Sequence, residues 1–132
     1  MTEWEEAISR LTGVAVVFDD NGLDSIVDAP SALTIGFHCQ AGELTIYSQV
    51  GVLDDDSRLR SLLAANCFWR ETGGATLSLF DERRIVLARW LAAGSVSDLA
   101  VRYADFIAAA RRWQADLGAT PSAGFGFTGR RA

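Results

Sequence analysis

Apolar residues recur along this chain at two periods, and the switches between those periods mark its elements. Near the start, Trp4, Ala7, Ile8 and Leu11 fall at i, i+3, i+4 and i+7, the spacing of one helix face. Thr2 and Glu5 form a capping box ahead of this face, and Gly13 can end the helix. A β-branched apolar run, Val14–Phe18, closes on the turn signal Asp19-Asp20-Asn21-Gly22, and a brief strand follows over Asp24–Asp28. Leu33, Ile35, Phe37 and Cys39 then alternate with Thr34, Gly36 and His38. Beyond Gln40-Ala41-Gly42, Leu44, Ile46 and Val50 stand opposite Thr45, Tyr47 and Gln49. Period two on both sides of a glycine turn predicts an antiparallel hairpin with one solvated face.

Asp54-Asp55-Asp56-Ser57 opens a second helix with negative charge, favourable against the helix dipole. Leu59, Leu62 and Leu63 make its stripe, and from Ala64 to Trp69 nearly every residue is apolar. A helix apolar on all sides is buried on all sides. In so small a domain this predicts a second covering surface, most simply a symmetric copy, with a central core helix as the blander reading. Thr72-Gly73-Gly74 ends the helix, and Ala75–Phe80 and Arg84–Leu91 read as a second hairpin. Ser95-Val96-Ser97-Asp98 resembles another capping box. After it Val96, Leu99, Tyr103, Phe106, Ala110, Trp113 and Leu117 form one stripe of a long helix, with Asp98–Arg102 and Arg112–Asp116 as i, i+4 pairs. The expected fold is therefore α+β: an antiparallel twisted sheet flanked by three helices, in the order α-β-β-β-α-β-β-α, forming a homodimer. It occupies residues 1–117, and the tail 118–132, containing Gly, Ser and Pro, is expected to be disordered.

Charge narrows the partners. The 132 residues hold 12 basic and 17 acidic side chains, a net charge of −5, and every basic residue is an arginine. An acidic domain of one-domain length lacks the basic footprint that nucleic acid or an anionic membrane requires. No charged, apolar leader pattern opens the chain and no run reaches about 18 apolar residues, so a soluble cytoplasmic protein is expected.

Candidate chemistry is sparse. His38 is the only histidine, without a second histidine for a metal. Cys39 and Cys67 lack metal-ligand spacing, and Cys67 as a nucleophile with His38 as base is disfavoured by its apolar segment. Without lysine there is neither Schiff-base chemistry nor a Walker-type phosphate loop, and Gly73-Gly74 reads as a helix terminator. Asp54-Asp55-Asp56 lacks the glycine and distal glutamate of a calcium loop. No catalytic residue, metal or cofactor is expected. What remains is apolar surplus: four tryptophans and seven phenylalanines, with Trp4, Phe18, Trp69 and Trp90 as candidate exposed anchors.

The block Leu62-Leu63-Ala64-Ala65-Asn66-Cys67-Phe68, then Thr72-Gly73-Gly74-Ala75-Thr76-Leu77 and Arg84-Ile85-Val86-Leu87, resembles the class I (Tir-chaperone-like) chaperones of bacterial type III secretion. The last helix, with Phe106-Ile107 and Arg111-Arg112-Trp113, is similar to theirs as well. The resemblance implies an acidic cytoplasmic homodimer that binds the extended N-terminal segment of a secreted effector and keeps it soluble and export-competent. It also implies the secretion-apparatus ATPase as a further partner. Transferred to this chain, it implies effector binding by Trp4, Ile8, Leu11, Phe18, Ile26, Leu33, Ile35 and Phe37. It implies a dimer interface of Leu59, Leu62, Leu63, Asn66, Cys67, Trp69 and Leu77. The chain departs from the family in having no proline after the first helix and in its tail with Phe125, Phe127, Arg130 and Arg131. A regulatory domain of the same fold that sequesters a protein, and a small-molecule enzyme, are the competing readings. The first is separated by the identity of the partner, and the second by the deep polar pocket it requires.

Overall fold

A computed structural model describes residues 2–118 and 130–131 of the chain. Helix α1 spans Glu3–Thr12 and has the expected capping box. Glu5 N donates to Thr2 Oγ1 at 3.1 Å, and Thr2 N donates to Glu5 Oε1 at 2.7 Å. Gly13 closes the helix in the left-handed conformation.

The apolar run Val14–Phe18 joins no strand, and side chains accept from several of its backbone donors. Val16 N donates to Ser9 Oγ at 2.8 Å and Val17 N to Asp24 Oδ2 at 3.0 Å. Phe18 N donates to Glu5 Oε2 at 2.8 Å, so one buried carboxylate caps α1 and holds the following segment. Backbone donation from Thr2, then from Phe18, keeps the Glu5 carboxyl below its ordinary range despite burial.

Five antiparallel strands follow from two groups of hairpin neighbours: β1 (Leu23–Asp28), β2 (Leu33–Gln40), β3 (Glu43–Val52), β4 (Thr76–Phe80) and β5 (Arg84–Leu91). A two-residue strand β6, Arg130–Arg131, completes the order β4-β5-β3-β2-β1-β6. The register sets Ile26 opposite Ile35, Phe37 opposite Ile46, and Leu44 opposite Leu91, so their side chains share one face. Helix α3 (Leu99–Leu117) packs over this face and buries Leu99, Tyr103, Phe106, Ala109 and Ala110. Trp4 and Ile8 of α1 complete the core, and Trp4 Nε1 donates to Gly42 O at 2.8 Å. Tyr103 reaches the sheet by donating from its hydroxyl to Asp28 Oδ1 at 3.0 Å; burial, then Asp28, raises the affinity of that hydroxyl for its proton. The predicted alternation, both hairpins and the order of helices and strands are all present.

Three local expectations fail. Ser95 makes no side-chain cap: its hydroxyl donates to Ala92 O, and Val96–Asp98 form a 3-10 turn before α3. Neither Asp98–Arg102 nor Arg112–Asp116 forms an ion pair, whereas Arg10–Glu6 at 2.8 Å and Arg84–Asp81 at 3.4 Å do. Arg112 donates instead to Glu71 O at 3.1 Å. The second helix, α2, covers only Leu59–Ala65 and does not run on to Trp69. Asn66 pins its end to β4, donating to Leu77 O at 2.8 Å and accepting from Leu77 N at 2.7 Å. The chain then turns through Cys67–Trp69 with φ of 56° at Phe68 and 55° at Trp69. Most of the tail expected to be disordered lies outside the described residues. Within it, Gly118 caps α3 and Arg130–Arg131 pair with β1.

Candidate functional site

The residues that could have carried chemistry stand apart. His38 lies on β2 and Cys67 at the end of α2 beside β4, three strand positions away, about 14 Å at ordinary strand spacing. Among the described residues no three His, Cys, Asp or Glu side chains gather as a metal site. The Gly73-Gly74 turn holds a cation: Arg89 Nη1 donates to Gly73 O at 2.5 Å. A Cβ on Gly74, whose φ is +89°, would stand 1.9 Å from the same nitrogen. Contrary to their pattern, these glycines do not end α2 but lie in the turn between Cys67–Trp69 and β4, where they make room for the half-buried Arg89 guanidinium.

The apolar surplus is partly at the surface. Trp69 is 54% exposed and Trp90 57%, whereas Trp4 is buried and Phe18 half-buried. Trp69 Nε1 donates to Thr76 Oγ1 at 3.2 Å and Trp90 Nε1 to Glu43 Oε2 at 2.8 Å, so each ring is positioned by one polar bond. Both Thr76 and Trp90 belong to the sheet face turned away from α3, as the register with Ala88 and Thr45 requires. On that face Tyr47 lies across Gly36, where a Cβ would meet the ring at 2.3 Å. Removing one side chain thus allows an aromatic to cover the neighbouring strand.

A second accumulation surrounds α2 and β4. Leu63 is 71% exposed and Phe68 85%, with Trp69, Leu79 and Phe80 also at the surface. Of the residues expected at an interface, Leu63, Cys67 and Trp69 are exposed, Leu59 and Asn66 are half-buried, and Leu62 and Leu77 are buried within the chain. Pattern reading missed Phe68, Leu79 and Phe80. Phe68 stands in an apolar run whose pattern is that of a continuous helix, and Leu79 and Phe80 end an outer strand beyond the cover of α3.

The eight residues of the effector-binding expectation converge around α1, β1 and β2, but they do not form an open groove in the chain. Trp4, Ile8, Ile26, Leu33, Ile35 and Phe37 are core, none more than 3% exposed. The reason is geometric: with both α1 and α3 on one face of a single sheet, that face must supply the core. Leu11 is 40% exposed and Phe18 is half-buried, so these two supply what surface the set has.

An antiparallel sheet with helices on one face, an aromatic open face and an apolar outer corner defines an α+β domain. The model of the Tir chaperone protein (CesT) family matches residues 6–114, and the chain belongs to that family. Among solved structures, it is similar to a chain of the ExsC–ExsE complex, with TM-score 0.70, 16% identity, and coverage of 91% of this chain and 98% of that one. It is also similar to a chain in the structure of the Yersinia pestis type III secretion chaperone SycH with a stable fragment of YscM2. There the TM-score is 0.66 at 14% identity, with 86% and 98% of the two chains covered. A third likeness is to a chain of the heterodimeric ExoU–SpcU complex from the type III secretion system of Pseudomonas aeruginosa, with TM-score 0.65, 14% identity, and 86% and 93% covered. At these identities the likenesses establish the shared fold. Comparison with curated protein sequences finds no match. Among the described residues no helix is long and apolar enough to cross a membrane.

Proposed function

We propose that this chain is a cytoplasmic type III secretion chaperone. As a homodimer it binds the extended N-terminal segment of a secreted effector and keeps that segment soluble and ready for export. The observation that carries this reading is the concentration of large apolar side chains at the surface of a family member: Leu63, Phe68 and Trp69 around α2, and Trp90 on the open sheet face. Exposed apolar anchors of this kind supply the energy for pairing two copies at α2, while net negative charge limits association beyond that.

In this account the α2–β4 corner is the dimer interface, with Leu63, Cys67 and Trp69 making contact and Leu59, Asn66, Leu62 and Leu77 shaping the surface beneath them. The effector follows the α1–β1–β2 side, where Leu11 and Phe18 offer accessible surface. Trp4, Ile8, Ile26, Leu33, Ile35 and Phe37 form the floor below, and main-chain bonding at a strand edge adds affinity without sequence specificity. Delivery to the secretion-apparatus ATPase completes the cycle. The relatives seen in complex with other proteins support the reading at the level of fold.

Co-expression with the protein encoded beside it is the test. A stable complex that protects the N-terminal segment of that protein from proteolysis is the expected result. Failure to retain any secreted protein overturns the proposal, and retention of a transcriptional or signalling protein instead favours the sequestering reading.

A further inference from the structure

The outer edge of β1 is covered by the far end of the same chain. Arg130 stands opposite Ile26 and Arg131 opposite Val27, in parallel, whereas the five main strands pair antiparallel. A bare sheet edge presents unmet backbone donors and acceptors and invites another strand. At the opposite edge, β4 lies beside α2, which is tied to it through Asn66 and Leu77. At the β1 edge, Asp19 N donates to Leu23 O at the start of the strand, and β6 lies beside Ile26 and Val27 further along it.

Charge agrees with the placement. The β1 strand carries Asp24 and Asp28 and follows Asp19-Asp20, while residues 119–132 contain two arginines and no acidic residue. In a chain of net charge −5, the two arginines of this segment and the aspartates of β1 are opposite in charge, which favours their association. Covalent attachment makes the docking unimolecular, at effective concentrations that reach about the millimolar range for short links. Two paired residues make a small contact, so a longer strand competes well against them.

The geometry points to the C-terminal segment Arg130–Arg131 as an intramolecular occupant of the β1 edge, one that any extended peptide adding to this edge must displace. The docking stands independently of the chaperone reading, and only its consequence for a client rests on that reading. While the edge is unused, the segment shields it from pairing with other chains. When a longer strand arrives, the segment yields.

Amide hydrogen exchange on the full-length chain tests this. The double substitution Arg130→Pro and Arg131→Pro removes the backbone donors of β6 and leaves every residue of the core in place. Exchange over Leu23–Asp28 is expected to rise by about fivefold or more in the variant, with β3 and β5 unchanged. Equal exchange in β1 for the two proteins overturns the docking. The effector segment captured by co-expression, titrated into both proteins, is expected to bind the variant more tightly. Faster β1 exchange with unchanged affinity rejects the competition while retaining the docking, and absence of any effector complex falls on the chaperone reading alone.

Discussion

The Glu5 carboxylate ties together two pieces of backbone: Thr2 at the start of α1 and Phe18 in the segment that leads to β1. Because those donors favour its ionised form, its carboxyl is held below the value of 4.5 it has when free. The linkage has a definite sign. Stability from this group is present above the free value and is lost as pH falls through the lowered one. Glu5→Gln keeps one acceptor but loses the carboxylate, and is expected to cost about 1–2 kcal/mol at neutral pH. Urea unfolding at pH 7 and at pH 3 should show a smaller pH-dependent loss in the variant than in the parent. An equal loss would show that Glu5 does not carry the linkage. Asn66→Ala removes both bonds to Leu77 and leaves that backbone unpaired, an expected loss of about 1–3 kcal/mol by the same measurement. The Thr2–Glu5 box was legible because its partners lie three residues apart. The Glu5–Phe18 and Asn66–Leu77 bonds were not, since only the tertiary fold brings those partners together.

At the scale of elements, alternation identified the strands of both hairpins, and the stripe from Leu99 to Leu117 identified α3. What composition could not reveal was where α2 stops. Ala64–Trp69 is apolar enough for a buried helix, but Asn66 bonds to β4, and the chain leaves the helix through two left-handed residues. That turn places Phe68 and Trp69 outward, so surplus apolar residues become surface and do not become core. Phe68→Gly tests the arrangement, because glycine adopts the left-handed conformation without a Cβ penalty. Thermal unfolding of the monomer should change by no more than about 1 kcal/mol, while self-association weakens. Leu63→Asp, at a position already open to solvent in the single chain, should leave the circular dichroism spectrum intact. It should also shift sedimentation from dimer to monomer, because an interface would desolvate the new charge. Retention of the dimer in both variants would move the interface away from α2. The same logic explains the eight effector-binding positions: an apolar face marks the core first, and six of the eight lie there.

For the molecule as a whole, one face of the sheet is consumed by α1 and α3, which leaves the opposite face and the α2–β4 corner exposed. The family was legible because its central block, from Leu62 to Leu87, is local and specific, and the family model extends the match over residues 6–114. The partner was not legible, because main-chain pairing with an extended peptide, the mode proposed here, leaves little record of the peptide's sequence. Light scattering on the complex co-purified with the protein encoded beside this one tests the central claim most directly. The account predicts two chains of 14.3 kDa for each client, with the client's N-terminal segment protected and still extended. A monomeric chain that retains no secreted protein under the same conditions would contradict it.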